Sequence, residues 1–397
     1  MAIKPDPLVK AEEVRRQLGC PFIAITGSNG KTTTRSMLSQ ILQRAGRVCE
    51  FTLNSGRAEE IAAELLRLDP TYDWAVIKLS AAIPGEIDKA AELIQPHMAI
   101  VTNIGEAHLN QYGTIDRIAT AKAGLLHFLP QGGTALLNRD NEYTRLMGEN
   151  LTCRVAYFGL SPVSDYYADD IRHLGPGGTS FTVYRRGRRE ATITMAIYSL
   201  GDVYNALAAW AAATELGVES ALIQAALEDH FLLPEGRGRM HSCCGIHLID
   251  DSYDATPQSF YKSTKTLLNF REYARRLLFV MGDISDPREQ PEHTHIMMGH
   301  YIAGMPIDVT VLVGPHAATT AAAISTTASA NRQVICCTNL TMALGWLSDH
   351  LQPGDAVLVE GGDSVDMAAL VHELIQGHLL QGPSGLTHEN SSTRNTN

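Results

Sequence analysis

The sequence lacks an excess of basic residues, a long apolar run and a metal-type cysteine spacing. Its 32 Lys and Arg against 43 Asp and Glu give a net charge of −11, so we expect no nucleic-acid partner. No apolar run approaches the roughly 18 residues of a membrane span, and the N-terminus has no apolar segment of a signal peptide. Seven cysteines without a CxxC motif predict reduced thiols, no zinc site and a cytoplasmic protein.

The composition that is present is typical of folded globular domains. Hydrophobic residues make up 45% and charged residues 19% of 397 positions, a length that predicts two or three domains. Short β-rich runs alternate with amphipathic segments, which predicts a mostly parallel sheet covered by helices. The predicted strands are 21–26, 74–79, 97–102 and 134–138, and the predicted helices are 31–45, 59–68, 86–94, 115–128 and 204–216.

Two further regions set the expected domain organisation. Alternating β-branched runs separated by Gly and Pro over 153–197 predict a small antiparallel insert in the first domain. The α/β rhythm restarts after residue 236, with strands expected at 245–251, 276–282, 308–314, 334–337 and 355–361. We therefore predict an α/β chain with three segments: a P-loop-type central domain over 1–236, a smaller Rossmann-like domain over 237–380 and a disordered tail over 381–397.

A glycine-rich loop follows the first buried strand and precedes an amphipathic helix, which is the context of a phosphate loop. Glycines let backbone N–H groups face phosphate oxygens, and the helix N-terminus adds positive partial charge. The strict GxxxxGK[ST] pattern fails at Ile25, and a glycine turn that only caps the helix is the structural alternative. The candidate nucleotide-binding residues of this loop are Gly27, Asn29, Gly30, Lys31, Thr32 and Thr33.

This loop resembles that of the Mur ligases, the amide-forming enzymes of peptidoglycan synthesis. Further motifs agree in order and spacing, and within the family they look most similar to the D-alanyl-D-alanine-adding ligases. They are PGEI at 84–87, TNIGEAHL at 102–109, AK at 121–122, LPQGG at 129–133, YNAL at 204–207, GRGR at 236–239, DDSY at 250–253, MGD at 281–283 and GD at 354–355.

The resemblance implies ATP and Mg²⁺ as cofactors and a reaction between two small molecules. Family members phosphorylate a carboxylate, and an amine attacks the acyl phosphate to give an amide, ADP and phosphate. By resemblance, Lys31 and Thr32 hold the phosphates and the first Mg²⁺, and His108 is a ligand of a second Mg²⁺. The structural alternative for His108 is a loop histidine at a strand end.

Four more residues match family positions by resemblance alone. Lys122 matches the lysine that CO₂ carbamylates, Asn205 a residue near the adenine, Arg237 the phosphate-facing arginine between domains, and Asp251 the acid that grips ATP. If the family resemblance is not used, the structural alternatives are an exposed helix lysine for Lys122, a helix cap for Asn205 and a strand end for Asp251. Lys31, His108, Lys122 and Arg237 are the expected catalytic set.

Several positions depart from the family pattern. Only about twenty residues precede the first strand, so we expect the UDP-sugar-binding domain to be absent and the substrate to differ from a UDP-muramyl peptide. Lys78 stands where the family has a metal-binding glutamate, and Gly201-Asp202 replaces a His-Asn pair. Glu360 and Asp363 replace two cations near the pocket of the incoming amine, which favours an amine substrate that carries a cationic group.

Three functions remain open from the sequence. The first is an ATP-dependent carboxylate–amine ligase with an altered substrate. The second is a catalytically impaired paralogue that binds nucleotide as a partner subunit of an active ligase. The third is an ATPase or kinase that phosphorylates an acid without forming an amide.

Overall fold

The computed structural model describes residues 7–51, 53, 56–68, 71–80, 83–107, 109–229, 231–284, 290–326, 332–362 and 364–379. The chain divides into two compact units between Gly238 and Arg239. The expected tail over 381–397 lies outside the described residues. Among the described residues, no helix combines the length and apolarity that crossing a membrane requires.

The first unit is built on a nine-stranded sheet with the order β2-β3-β1-β4-β5-β6-β7-β8-β9. The strands from β2 to β6 pair in parallel, whereas β7, β8 and β9 pair antiparallel. The strands are β1 (Phe22–Thr26), β2 (Val48–Phe51), β3 (Trp74–Lys78), β4 (Met98–Val101), β5 (Thr134–Asn138), β6 (Arg154–Gly159), β7 (Tyr166–His173), β8 (Thr179–Arg185) and β9 (Arg188–Met195).

Helices connect these strands and cover the parallel part of the sheet. Strand β1 is buried along its whole length, because parallel strands carry helices on both faces. The helices are α1 (Pro7–Gln17), α2 (Lys31–Ala45), α3 (Ala58–Leu65), α4 (Glu86–Ile94), α5 (Leu109–Tyr112), α6 (Ile115–Ala123), α7 (Glu142–Met147), α8 (Leu200–Glu215) and α9 (Ser220–Glu228).

The second unit contains a six-stranded sheet with the order β10-β11-β15-β12-β13-β14. All pairs are parallel except β10 with β11, which form a hairpin. Its elements are β10 (Arg239–Cys243), β11 (Ile246–Asp251), α10 (Pro257–Leu268), β12 (Arg276–Met281), α11 (Pro291–Ala303), β13 (Val309–Val313), α12 (Ala317–Ser325), β14 (Gln333–Cys337), α13 (Leu340–His350), β15 (Asp355–Glu360) and α14 (Met367–Leu374).

The predicted fold class is confirmed, with differences at particular elements. The predicted antiparallel insert forms the edge of the central sheet as β7, β8 and β9. The predicted helix over 115–128 ends as α-helix at Ala123 and continues as a 3₁₀ turn. The helix predicted from residue 204 begins at Leu200, because Ser199 accepts a hydrogen bond from the Asp202 N–H as an N-cap.

Candidate nucleotide and substrate sites

The phosphate loop lies where β1 ends, between its two parallel neighbours β3 and β4. The connection from β1 leads to β2 on one side of this strand, whereas the connection from β3 leads to β4 on the other side, so a crevice opens beyond the carboxyl end of β1. Ligands of open α/β sheets bind at such a switch point. Gly30 precedes the first residue of α2, which directs the helix N-terminus at this crevice.

Two loop glycines sit in positions that no other residue fits. Gly27 and Gly30 have φ values of 141° and 81°, which L-residues with a side chain rarely adopt. A Cβ at Gly27 would lie 2.0 Å from Thr102 Oγ1, and one at Gly30 would lie 2.2 Å from Asn205 Oδ1. Both glycines are therefore required by close packing as well as by backbone conformation.

The segment after β4 holds the loop through both side chains and backbone. Thr102 Oγ1 donates to Asn29 O at 2.6 Å, and the Asn103 side chain bonds both the N–H and the C=O of Asn29 at 3.0 and 3.1 Å. Ser28 Oγ donates to Gly105 O and accepts from Gly105 N. These bonds fix the loop before any ligand binds, which limits the ordering cost of binding.

The loop lysine is folded onto its own backbone. Lys31 Nζ donates to Gly27 O and Ser28 O, both at 2.8 Å. Thr32 is half-buried, whereas Thr33 is buried, so the Thr32 hydroxyl is the more accessible oxygen for a cation. The residues present therefore fit a phosphate group and one Mg²⁺ beside it.

Asn205 lies inside α8, where it cannot cap the helix. Its Oδ1 accepts from Thr34 Oγ1 at 3.3 Å, and its Nδ2 donates to Asp202 Oδ1 at 3.4 Å. The helix-cap alternative for this residue is wrong. Asn205 instead packs against Gly30 and couples α8 to the start of α2.

Lys122 is buried. The alternative interpretation from the sequence, an exposed helix lysine, is therefore wrong. Lys122 lies on α6, and only 2% of the residue is exposed. Burial lowers the pKa of its amine to about 8, because desolvation penalises the charged form. Within the described part of the chain, its Nζ has no hydrogen-bond partner.

Lys78 is the last residue of β3, paired in register with Ile25 of β1. It is 6% exposed, and burial together with the charges of Arg35 and Arg237 lowers its pKa to about 8. Arg35 forms an ion pair with Glu50 at 2.9 Å. A cation therefore stands on the neighbouring strand, where phosphate-loop enzymes commonly place a carboxylate that helps to hold Mg²⁺. Two other positions from the sequence, His108 and Asp363, lie outside the described residues.

The carboxyl ends of β11 and β15 in the second unit carry a chain of polar contacts. Lys262 Nζ is 2.8 Å from Asp251 Oδ2, and Ser263 Oγ donates to the same oxygen at 2.5 Å. Ser263 also bonds Glu360, whose Oε1 is buried without a partner among the described residues. Burial first, and the Asp251 charge second, raise the pKa of Glu360 well above its ordinary value.

Three side chains near the ends of β12 and β13 have the composition of a metal site. Asp283, His295 and His316 bring their ligand atoms within 4.8 Å of one another. However, His295 Nε2 accepts from the Ile284 N–H at 3.1 Å, and its Nδ1 bonds Thr320 Oγ1 at 2.8 Å. Both ring nitrogens are thus occupied, so we interpret His295 as a satisfied core histidine.

Comparison with known proteins identifies both units. Residues 25–213 match the Mur ligase middle domain, and residues 236–362 match the Mur ligase glutamate ligase domain. The chain is 30% identical to the UDP-N-acetylmuramoyl-tripeptide–D-alanyl-D-alanine ligase of Escherichia coli K12, over 78% of this chain and 69% of that protein. This chain belongs to the Mur ligase family.

Solved Mur ligase structures agree with this assignment. MurF from Acinetobacter baumannii has a TM-score of 0.81 and 28% identity, and the match covers 93% of this chain and 79% of that one. MurF from Thermotoga maritima, solved in complex with ADP, has a TM-score of 0.79 at 20% identity over 94% and 85% of the two chains; this second likeness shows the fold alone. The resemblance to MurF-type ligases is confirmed, and members of this family are ATP-dependent ligases that use Mg²⁺.

Several residues that were not predicted as site residues from the sequence hold the two sites in place. Ser28, Thr102 and Asn103 brace the loop, and Ser263 links Asp251 to Glu360. The TNIG motif contains Thr102 and Asn103, although the motif does not reveal that their side chains bond the backbone of Asn29. No motif marked Ser263, because its partners lie 12 and 97 residues away in the chain.

Proposed function

We propose that this chain is an active ATP-dependent ligase that joins a carboxylate to an amine through an acyl phosphate. The observation that carries the proposal is the braced loop over Gly27–Thr33, whose glycines, N–H groups and lysine form a ready phosphate cradle. Its backbone contacts exist without ligand, as positioning of a phosphoryl group requires. ATP supplies the phosphoryl group that activates the carboxylate.

Each loop residue has a distinct part in this proposal. Lys31 leaves Gly27 O and Ser28 O and neutralises the phosphate oxygens, whereas the Thr32 hydroxyl holds Mg²⁺. Gly27, Asn29, Gly30 and Thr33 supply the backbone around the phosphates. Asn205, Arg237 and Asp251 are proposed to contact the nucleotide, and His108 a second Mg²⁺, as the family resemblance implies.

Lys122 is proposed to act as an anion after reaction with CO₂. A neutral amine attacks CO₂ to form a carbamate and releases one proton, and a pKa of about 8 makes the neutral amine available near neutral pH. The buried position without a described partner leaves the nitrogen free for this reaction. The resulting carbamate offers oxygen ligands to Mg²⁺.

Glu360 does not support the expectation that the incoming amine carries a cationic group. It pairs in register with Asp251 at the end of β15, but its side chain is fully buried and burial raises its pKa well above the ordinary value. A buried, protonated acid neither contacts nor attracts an incoming cation. Asp363, the second acidic position, lies outside the described residues, so the cationic amine stays a prediction from the sequence.

The carboxylate substrate is proposed to be other than a UDP-muramyl peptide, the substrate named for the curated relatives. Lys78, a cation where phosphate-loop enzymes commonly place a carboxylate, supports a changed site in the first unit, and binding measurements test the substrate. Calorimetry with a UDP-muramyl tripeptide should show no micromolar affinity for this chain. Micromolar binding would contradict this part of the proposal while leaving the ligase reaction intact.

Lys78 favours one alternative, a catalytically impaired nucleotide-binding subunit of a partner ligase. A cation at this position repels Mg²⁺, and at an effective dielectric of 20 each unit pair at 4 Å amounts to about 4 kcal/mol before screening. The two functions differ in a Lys78→Glu variant. An impaired chain should gain Mg²⁺-dependent ATP turnover, whereas an active ligase that uses Lys78 as a phosphate contact should lose it.

The deciding experiment is ADP release by the pure protein with panels of acids and amines. We expect release that requires both substrates and disappears in Lys31→Ala, with the exposed Lys10→Ala as the matched control. Release with an acid alone would indicate a kinase or ATPase. If no pair of substrates gives release, and Lys78→Glu does, the partner-subunit function replaces the ligase.

A further inference from the structure

Two pairs of adjacent cysteines occupy different local structures in the second unit. Cys336 and Cys337 lie on β14, where successive side chains point to opposite faces; Cys336 is exposed and Cys337 is buried. Cys243 and Cys244 lie instead at the end of β10 and in the turn that follows. There the two sulfur atoms converge to 3.3 Å, and the Cys244 side chain is exposed.

The turn between β10 and β11 is a two-residue hairpin turn. Cys243 pairs with Ile246 in the ladder, and the two residues between them, Cys244 and Gly245, have φ values of 53° and 77°. A turn with positive φ at both central residues strongly favours Asn-Gly or Asp-Gly. Cysteine at the first of these positions is therefore unfavourable for the backbone, and a strained residue of this kind often has a functional role.

The geometry favours a bridging atom over a direct bond between the sulfurs. Consecutive Cα atoms are about 3.8 Å apart, shorter than the range of roughly 4.4–6.8 Å in which disulfides form without strain. A single bridging atom with bonds of about 2.3 Å to sulfur, the length found in metal–thiolate sites, can join two neighbouring sulfurs. The hydrogen bond with Cys243 also raises the pKa of the Cys244 thiol, which disfavours the thiolate that oxidants attack.

We propose that Cys243 and Cys244 form a dithiol site for thiophilic trivalent arsenic compounds. In the reaction with an organic arsenic(III) oxide, two As–S bonds form and the As–O double bond breaks. The oxygen leaves as water with the two thiol protons, and arsenic stays trivalent. The arsenic atom of such a compound already carries one organic substituent, so the hairpin has to supply only two sulfur ligands.

This site is separate from the proposed ligase site. The thiols stand at the start of β11, whereas Asp251 stands at its end, about 17 Å away at 3.3 Å per residue. The proposal therefore does not depend on the ligase function. Binding at the hairpin leaves Asp251 accessible.

The test is titration of the full chain with phenylarsine oxide, followed by intact mass. We expect one adduct per chain that a dithiol removes and a monothiol does not. Cys244→Asn should lose it and still fold, because asparagine suits the turn. Cys336→Ser, from the other cysteine pair, should keep it, since Cys336 donates to Ala317 O on its own.

The expected change in affinity follows from the second sulfur. When one As–S bond has formed, the second forms within the molecule, which typically raises affinity by 10²–10⁴-fold. Cys243→Ser and Cys244→Asn should each weaken binding at least about 100-fold. Wild-type affinity in either variant, or loss of the adduct in Cys336→Ser, would overturn the assignment, and thermal melting of each variant shows whether it is folded.

Discussion

Two lysines with little exposure distinguish this chain at the level of single residues. Lys122 and Lys78 are 2% and 6% exposed, and burial lowers the pKa of both amines to about 8. Lysine is almost never buried without a partner, and strongly perturbed pKa values concentrate at functional sites. Lys122 is the more deeply buried of the two, so a change at Lys122 should have the larger effect on the site.

Lys122→Met should abolish turnover without unfolding the protein. Methionine fills the space and removes a buried charge, so the melting temperature should stay or rise. ADP release should fall about 100-fold or more, a loss typical of removing one electrostatic contact from an active site. The exposed Lys89→Met is the control, and ¹³C-bicarbonate NMR should show a carbamate in the wild type and in this control but not in Lys122→Met. Wild-type turnover in Lys122→Met would exclude a catalytic role.

Glu360 makes stability depend on pH. Its pKa is raised in the folded protein, so the folded state keeps a proton that the unfolded chain releases above about pH 4.3. The group's contribution to stability is therefore full at low pH and is lost as pH rises. Nearby Asp251 and Lys262 are present in the wild type and the variant alike.

Glu360→Gln should consequently match the wild type in melting temperature near pH 4 and exceed it increasingly towards pH 8. Glutamine has the shape of the protonated acid and does not titrate. The exposed Glu292→Gln is the matched control, because it makes the same substitution on the solvent-facing side of α11. An offset between Glu360→Gln and wild type that stays constant across this range would show that Glu360 does not hold a proton in the folded state.

At the level of elements, the end of β4 and the phosphate loop act as one unit. Thr102→Val keeps the shape of the side chain and removes the bond from Thr102 Oγ1 to Asn29 O. A lost hydrogen bond of this kind costs about 1 kcal/mol, so ATP affinity should fall by roughly fivefold. Thr214→Val is the control, because it removes a similar hydrogen bond to Trp210 O within α8 and should leave ATP affinity unchanged. Calorimetry measures ATP affinity in the wild type and both variants. Equal affinities in these three proteins would contradict the bracing role of Thr102.

Elements with strong local signals were predictable from the sequence. Helix α2 over Lys31–Ala45 has the predicted bounds, because Gly30 and the apolar face of Met37, Leu38 and Ile41 are local features. Strand β2 was missed, since its four residues alternate in burial between two segments of polar sequence. The hairpin strand β10 was also missed, because three of its five residues are polar and none of them is buried.

The site residues also divide into those with a local sequence signal and those without one. The loop residues follow from a contiguous motif, whereas the burial of Lys122 depends on the packing of α6 and has no local signature. Glu360 was expected to be an anion near the pocket of the incoming amine, and it is buried because β15 lies in the middle of its sheet. Sequence spacing predicts which residues take part, and tertiary packing decides which of them are buried.

For the whole molecule, nucleotide binding should appear as stabilisation of the folded chain. A ligand at 100 times its Kd stabilises the protein by about 2.7 kcal/mol. We expect Mg²⁺–ATP to raise the melting temperature of the wild type and to have no effect on Lys31→Ala. The Lys10→Ala variant, altered on the exposed side of α1, should respond like the wild type. An ATP response in Lys31→Ala equal to that of wild type would remove the loop from the binding site.

The tight packing of the two loop glycines also limits how this protein can be varied in the laboratory. A Cβ would collide with Thr102 at Gly27 and with Asn205 at Gly30, so a saturation library selected for turnover should return glycine alone at both codons. Gly132 and Gly345 have open space around the missing Cβ and no positive φ, so their codons should accept many residues. The same amino acid thus gives a library both its most restricted and its most permissive positions.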